Sequence, residues 1–171
     1  MVVVADTSPL NYLILIDADR LLQQIYGEVL VPSAVIRELR HTGSPRQVMQ
    51  WVADPPKWLR IEDAPTVSDA ARRRQDQTLD ELGAGEREAI LLAQAQTQEV
   101  LLLMDEIKGR AEAASRGLAF TGTLGVLDAA AEAGLLDLPS AVARLRETSF
   151  YVTPALLRRL LDRDAARQRT E

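Results

Sequence analysis

The chain of 171 residues contains no cysteine and one histidine, His41. The absence of cysteine excludes disulfide bonds, thiolate zinc sites and a cysteine nucleophile, and it fits a reducing cytoplasm. A single histidine excludes the two-histidine zinc motifs, and its position just past a predicted helix is typical of a helix-end residue rather than of a catalytic base. Carboxylates are therefore the chemical groups that the sequence has in supply.

Aromatic residues and long apolar runs are also scarce. Aromatics make up 4% of the chain, which argues against a platform for stacking bases, and Trp51 and Trp58 are better explained by packing in a core or an interface. No apolar run approaches the roughly 18 residues of a membrane span, and the short run Val2–Ala5 has no basic segment before it. We therefore expect a cytoplasmic protein with neither a signal peptide nor a membrane segment.

The composition is that of a folded, acidic protein. Hydrophobic residues form 47% and charged residues 26% of the chain, which excludes disorder as its main state. Asp and Glu number 25 against 20 Lys and Arg, so the net charge is −5, the wrong sign for binding nucleic acid through bulk electrostatics alone. The excess of acid needs a specific explanation.

Short apolar runs alternate with helical patterns, which predicts an α/β fold. The run Val2–Ala5 ends at Asp6, as in a strand buried on both faces. Further strands are predicted over residues 28–31, 58–61, 100–104 and 118–121. Helices are predicted from Ser8 and Pro9 onward and over residues 19–25, 32–40, 47–52, 86–98, 107–116, 123–133, 140–147 and 155–166. This order favours a mainly parallel central sheet with helices on both faces.

The length favours one domain over residues 1–171, with a core over about 1–134 and C-terminal helices over about 139–168. Residues 54–81 are the least regular part and are interpreted as a surface excursion. Two groups of arginines could contact phosphates, although solvated surfaces explain them better. These arginines are Arg72, Arg73 and Arg74 in the excursion and Arg158, Arg159, Arg163, Arg167 and Arg169 near the C-terminus.

Two aspartates follow apolar strands. Asp6 and Asp105 each come directly after a predicted strand, and the functional cleft of an open α/β sheet lies beyond the carboxyl ends of its strands. Taken singly, each aspartate is as well explained by a role in a turn at a strand end as by a role in a site. The coincidence favours a site, and because two carboxylates in a partly dry site repel each other, a hard divalent cation is their natural partner.

Two glutamates lie beside apolar helix faces. Glu38 flanks the stripe that contains Leu39, where an ion pair with a neighbouring arginine is the better explanation from the residues alone. Glu86 follows Gly85 at a helix start, where the helix dipole stabilises a carboxylate. Periodicity does not distinguish Glu86 from Glu88, because this helix is apolar nearly all round.

Four segments, in this order and spacing, resemble the PIN-domain nucleases. They are VVVADTSPLNYL, VPSAVIREL, LGAGEREAILLA and LLLMDE, and the likeness extends over residues 2–134. The segments GTLGVL and SFYVTPALLRRLL in the C-terminal part are also typical of the bacterial and archaeal branch related to VapC-type toxins. The resemblance implies a single PIN-like domain, with a mainly parallel sheet flanked by helices on both faces and a helical C-terminal extension.

The resemblance also implies a metal-dependent ribonuclease whose sheet gathers acids into one pocket for Mg²⁺ or Mn²⁺. The family's acidic positions fall on Asp6, Glu38, Glu86 and Asp105. Asp6 and Asp105 are then the central metal ligands, and Glu86 is a ligand directly or through water. Glu38 is a ligand or a group that positions the attacking water.

Other polar residues match positions around such a pocket or lie close to it. They are Ser8, Asn11, Glu106, Lys108, Arg110 and Thr123. Ser8 is equally well explained as a helix cap, and the two cations near Glu106 are the preferred substrate contacts. Many members of the family carry a further acid where this chain has the segment 121–123, so the sequence leaves open whether a second metal ion binds. Thr123 would then orient a water instead.

The branch implies a toxin that cleaves RNA, a small antitoxin protein that covers the acidic cleft, and a homodimer. Two other classes stay open: a receiver-like signalling domain, which places paired acids after its first strand, and a PIN fold that binds without cleaving. Four units of the net charge of −5 belong to Asp6, Glu38, Glu86 and Asp105, so the remaining chain carries −1. The acid excess thus points to a cation-filled cleft.

Overall fold

A five-stranded parallel sheet forms the centre of the computed structural model, which describes residues 1–65 and 77–169. Its strands are β1 (Val2–Ala5), β2 (Val29–Val31), β3 (Leu59–Ile61), β4 (Val100–Leu103) and β5 (Ala119–Thr121), in the order β3-β2-β1-β4-β5. Val4 of the central strand aligns with Leu30 on one side and with Leu102 on the other. The predicted α/β class with a parallel sheet is confirmed.

Helices follow the strands along the described chain. They are α1 (Thr7–Leu15), α2 (Arg20–Tyr26), α3 (Ser33–Leu39), α4 (Arg46–Ala53), α5 (Gln77–Asp80), α6 (Ala84–Ala95), α7 (Ile107–Ser115), α8 (Thr123–Glu132), α9 (Leu138–Arg146) and α10 (Pro154–Gln168). None of these helices combines the length and the apolar character needed to span a bilayer.

The sheet is covered on both faces. Side chains alternate along a strand, so Val3 and Ala5 of β1 pack against one apolar cluster and Val4 packs against the other. The first cluster contains Leu13 of α1 and parts of α3, α4, α8 and α9, and the second contains Ile90 of α6. Burial on both faces explains why β1 is a continuous apolar run rather than an alternating one.

Two helix starts differ from the sequence prediction. The first helix begins at Thr7 rather than at Ser8 and Pro9, and Asp6 occupies its N-cap position. The helix predicted over residues 86–98 begins earlier, at Ala84, and ends at Ala95. Both starts bring backbone N–H groups close to acidic side chains, which matters for the site described below.

The end of the predicted surface excursion is buried. Leu79 on α5 and Leu82 after it are 1% and 8% exposed, and they pack in the second cluster with Val4 and Ile90. The interpretation of the whole segment 54–81 as surface is therefore wrong at this end. Arg72, Arg73 and Arg74 lie outside the described residues.

Ion pairs dock the last helix onto α8. Asp128 accepts hydrogen bonds from Arg163 and Arg167, and Arg167 also bonds the buried carboxylate of Asp164 at 3.0 Å. The interpretation of the C-terminal arginines as a solvated face is therefore wrong for Arg167, which is half-buried, whereas Arg163 is exposed as well as paired. Arg158 is exposed, as that interpretation expects.

Candidate metal centre

The candidate site lies where the strand order reverses direction. From β1 the chain goes first to β2 on one side and later to β4 on the other, and the carboxyl ends of such neighbouring strands line the ligand crevice in α/β sheets. Asp6 follows β1, and its N–H group donates to the Leu103 carbonyl at 2.9 Å. Asp105 lies two residues beyond Leu103, so both aspartates stand at this edge.

Asp6 is buried without full hydrogen bonding. It is 2% exposed, and its Oδ1 atom has no hydrogen-bond partner among the described residues. Burial raises the pKa of Asp6 to about 7; the Thr7 amide lowers it, and the charges of Glu86 and Glu38 raise it further. An unpaired buried carboxylate oxygen is costly, and a bound cation removes that cost.

Glu86 is the second acid with an open oxygen. It lies in the first turn of α6, where its Oε2 accepts a hydrogen bond from the Gly83 N–H group at 2.9 Å. Its Oε1 is buried and has no partner within the described part of the chain. Burial raises the pKa of Glu86, the Gly83 amide lowers it, and the charge of Glu106 raises it. A Cβ at Gly109 would lie 2.9 Å from Oε1, so α7 closes over this atom.

Glu38 has both oxygens occupied. The Thr7 hydroxyl donates to its Oε2, and the Gly85 N–H group donates to its Oε1 at 2.8 Å. These bonds join α1, α3 and α6, so the expected pairing of Glu38 with a neighbouring arginine is wrong. Sequence reasoning did not include Thr7 in the site, although a hydroxyl directly after Asp6 is a usable signal.

The structure separates Glu86 from Glu88, which periodicity could not do. Glu88 turns toward α3, where it accepts hydrogen bonds from the Ala34 N–H group at 3.1 Å and from Arg37 at 3.2 Å. It therefore holds the start of α3, whereas Glu86 faces Gly109 and the site.

Asp105 is held by the start of α8. The Thr123 N–H group donates to its Oδ1 at 2.8 Å, and the Thr123 hydroxyl donates to its Oδ2 at 2.6 Å. Burial raises the pKa of Asp105, and the two Thr123 bonds lower it. A Cβ at Gly122 would lie 2.4 Å from Oδ1, so this contact requires glycine. Thr123 thus holds the carboxylate of Asp105 in place, and its expected role in orienting a water stays a prediction.

The two basic side chains that were predicted to contact the substrate, Arg110 and Lys108, differ in how firmly the protein holds them. Arg110 donates from Nε to the Met104 carbonyl at 2.7 Å, lies 3.7 Å from Asp105 and packs over Phe120 at 5.8 Å. It therefore braces the loop after β4. Lys108 is exposed, and its charge lowers the pKa of Glu86, so it is the cation more available to an incoming anion.

Three other predicted positions lie around the acids. Ser8 is inside α1 rather than at its cap, because Asp6 takes the N-cap position. Asn11 is half-buried on the same helix, and Glu106 is exposed at the N-cap of α7. The negative charge of Glu106 raises the pKa of Glu86.

The acids fit a hard cation that keeps part of its water shell. Asp6 and Glu86 offer open, buried oxygens, whereas Glu38 and Asp105 are held by hydrogen bonds. In residues 1–65 and 77–169, no three acidic or histidine side chains come close enough together to ligate one ion. Mg²⁺ is commonly held by one or two carboxylates plus waters, so two open oxygens at one edge suit it.

The strand order and the position of the acids agree with a comparison against known families. A family model described as DUF3368, a PIN domain, matches residues 2–165. No curated protein and no solved structure matches the chain. The match covers nearly the whole chain, including the helical C-terminal part, and the chain therefore belongs to the PIN-domain family, whose members are generally nucleases.

Proposed function

We propose that this chain is an endoribonuclease that depends on Mg²⁺ or Mn²⁺. The observation that carries the proposal is the pair of buried, unpartnered oxygens, Asp6 Oδ1 and Glu86 Oε1, at the carboxyl edge of the sheet. Unpaired carboxylates in a partly dry site are unstable unless a cation or protons neutralise them. Family membership makes a nucleic acid the natural substrate.

Asp6 and Glu86 would hold the cation through their open oxygens, and Asp105 would act through a water bound to the cation. A carboxylate oxygen has two acceptor sites, so Asp105 can accept a hydrogen bond from that water while it remains bonded to Thr123. When bound, the cation supplies stabilisation of the charge that grows on the scissile phosphate and lowers the pKa of a bound water.

The protein's own groups prepare this site in three ways. The amides at the start of α1 favour negative charge beside Asp6, as helix N-termini do. Glu38 fixes the starts of α1 and α6 relative to α3, and so positions Asp6 and Glu86. Lys108 lies exposed near Glu86, where it can contact a phosphate of the substrate.

The biological role that we propose is that of a toxin in a toxin–antitoxin pair, acting on RNA in the cytoplasm. The four acidic segments and the C-terminal segments resemble the VapC-related branch, which supports this role. A small antitoxin protein and a homodimer belong to the same proposal. Two observations argue against a receiver-like module. A single acid follows β1, and the strand order β3-β2-β1-β4-β5 differs from the flavodoxin-like order 2-1-3-4-5.

The proposal is tested by incubating the protein with single-stranded RNA in Mg²⁺, in Mn²⁺ and in EDTA. We expect cleavage only with a divalent cation, and a loss of at least about 100-fold in Asp6→Asn, because that variant removes a charge that the cation requires. Asp54→Asn, at an exposed position after α4, is the matched control and should cleave normally. Absence of cleavage in the wild type would favour a PIN fold that only binds, and normal cleavage by Asp6→Asn would overturn the site assignment.

A further inference from the structure

A groove of about 570 Å³ opens beside the candidate metal centre. It starts at Asp105 and runs between α7, β5, α8 and α10. Phe120, Phe150 and Tyr151 are among the side chains that line it. We call it the aromatic groove. Its volume lies within the range of about 300–1,000 Å³ that is usual for ligand sites.

The aromatic groove contains several of the protein's large apolar side chains that are exposed to solvent. Tyr151 is 84% and Ile107 80% exposed, and Phe120 and Leu156 of the same groove are also exposed. Apolar side chains gathered in one exposed patch usually mark a binding surface. Low aromatic content argued against a stacking platform, but the fold brings Phe120 to the same groove as Phe150 and Tyr151.

Two of the aromatic rings are held in fixed positions. The ring of Phe150 meets Tyr12 edge-on, with centroids 4.9 Å apart. The Arg110 guanidinium covers one face of Phe120 at 5.8 Å. Rings that are ordered before binding lose little conformational entropy when a flat ligand stacks on them.

The charges of the aromatic groove suit an anionic chain. Arg110 stands near the Asp105 end, and Arg163 lines another part. Each guanidinium has five N–H donors, so both arginines keep donors for a phosphate while they contact Asp105 and Asp128. The carboxylate of Asp105 is itself covered by Thr123. A flat apolar base flanked by phosphates matches this combination better than an uncharged apolar helix does.

We propose that the aromatic groove binds an unpaired base of the RNA strand, next to the phosphate that is cleaved, by stacking it on Tyr151 and Phe120. This inference rests on the proposed ribonuclease function. Stacking of a base on an aromatic side chain is sequence-tolerant, because every base has a π-face. The aromatic groove therefore selects for single-stranded RNA rather than for a particular sequence.

The test compares wild type, Tyr151→Ala and Tyr151→Phe as enzymes on one single-stranded RNA oligonucleotide in Mg²⁺ or Mn²⁺. Base–aromatic stacking contributes about 1–3 kcal/mol, so Tyr151→Ala should lower kcat/KM by about 5- to 150-fold, mainly through KM. Tyr151→Phe keeps the ring and should cleave like the wild type. Ile61→Ala, an exposed apolar position on β3 at the far edge of the sheet, is the control and should also be normal.

A second set of oligonucleotides lacks one base at successive positions. At one position near the cleaved bond, removal of the base should lower kcat/KM for the wild type as much as Tyr151→Ala does, and it should cause little further loss in Tyr151→Ala. Such coupling identifies a direct contact, because a merely structural effect of the substitution would add to the effect of the missing base.

Two results would overturn the inference while leaving the proposed function intact. One is normal cleavage of the intact RNA by Tyr151→Ala, which would assign the aromatic groove to another occupant such as a partner protein. The other is an equal loss from the missing base in wild type and variant. If the wild type cleaves no RNA with either cation, the proposed function fails, and this inference fails with it.

Discussion

Asp6 is almost completely buried with one oxygen unpartnered among the described residues, so its negative charge destabilises the metal-free fold. Burial raises its pKa from 3.8 to about 7. Between these values the folded protein keeps a proton that the unfolded chain has lost, so the free energy of unfolding falls as the pH rises through this window. Above about pH 7 the folded protein carries the full cost of the buried charge.

Asp6→Asn should therefore be more stable than the wild type at pH 8 in EDTA. One pKa unit corresponds to about 1.4 kcal/mol, so the expected gain is up to a few kcal/mol, or on the order of 5–10 °C in Tm. The gain should shrink toward pH 4, because the folded wild type then keeps Asp6 protonated and no longer buries a charge. Thermal unfolding of both proteins from pH 4 to pH 8 measures it. A variant less stable than the wild type at pH 8 would contradict the account.

Burial raises the pKa of Asp105, and Thr123 opposes this rise through two hydrogen bonds that lower the pKa. Thr123→Val keeps the shape of this fully buried side chain but removes the hydroxyl donor. We expect a loss of about 1–3 kcal/mol in the free energy of unfolding. We also expect the acidic limb of the pH–rate profile to move to higher pH, because the pKa of Asp105 rises.

Thr123→Ser is the matched control for this prediction, since it retains the hydroxyl. Its pH–rate profile should coincide with that of the wild type. An unchanged profile in Thr123→Val would show that the hydroxyl does not set the protonation of Asp105.

The acidic positions could be predicted from the sequence, but their hydrogen-bond partners could not. Asp6 and Asp105 follow apolar strands, and that placement alone puts them at the carboxyl edge of the sheet. The bonds from Thr7 to Glu38 and from Thr123 to Asp105 join residues that are 31 and 18 positions apart. Such pairings depend on how helices pack, which local patterns do not determine.

At the level of helices and strands, the start of α6 fits closely against α3 and α1. A Cβ on Gly85 would lie 2.6 Å from Glu38 Oε2 and 2.7 Å from the Thr7 hydroxyl oxygen. The Gly85 N–H group also donates to Glu38, so this glycine permits the contact that joins the three helices.

Gly85→Ala should destabilise the protein by about 1–3 kcal/mol, as overpacking does, although alanine normally stabilises a helix relative to glycine. RNA cleavage should fall as well, because the substitution pushes Glu38 away from the start of α6. Gly43→Ala is the control: its nearest neighbour is the exposed His41 ring, at 3.3 Å, and its Tm should change little. Urea unfolding of both variants measures the difference. A Gly85→Ala variant as stable as the wild type would contradict the close approach.

Most helices and strands could be predicted because local signals agreed with the fold. The strands are short apolar runs that end at turn residues, and the described helices mostly follow them within a few positions. The short helix α5 was missed because the prolines of the segment before it favour a loop. The spacing of Leu79 and Leu82 was the available helical signal, and their burial is decided by tertiary packing against Ile90.

For the whole molecule, the parallel sheet and its two apolar faces were predictable, whereas the strand order was not. Alternation of strands and helices implies right-handed crossovers, but several orders satisfy that rule. The observed order makes β1 and β4 neighbours, and this brings Asp6 and Asp105 to one edge. The division into a core over about residues 1–134 and C-terminal helices over about 139–168 stays a prediction. Substitution of Asp128, which pairs with α10, can test it by mutation.

The net charge of the molecule also has a structural explanation. Acid at the sheet edge accounts for much of the excess, and a divalent cation there would neutralise the charges of the two carboxylates that hold it. Under the proposed function, the protein needs no broad basic surface, because the cation-bound cleft, Lys108 and the arginines of the aromatic groove would face the RNA.

The central claim is that Asp6 and Glu86 hold the divalent cation, and direct Mn²⁺ binding tests it most closely. Titration of Mn²⁺ at pH 8, followed by electron paramagnetic resonance, should give binding to the wild type and to the exposed control variants Asp54→Asn and Glu132→Gln. Asp6→Asn and Glu86→Gln should each bind at least about 10-fold more weakly, since each removes one charged ligand. Wild-type affinity in Asp6→Asn would contradict the account.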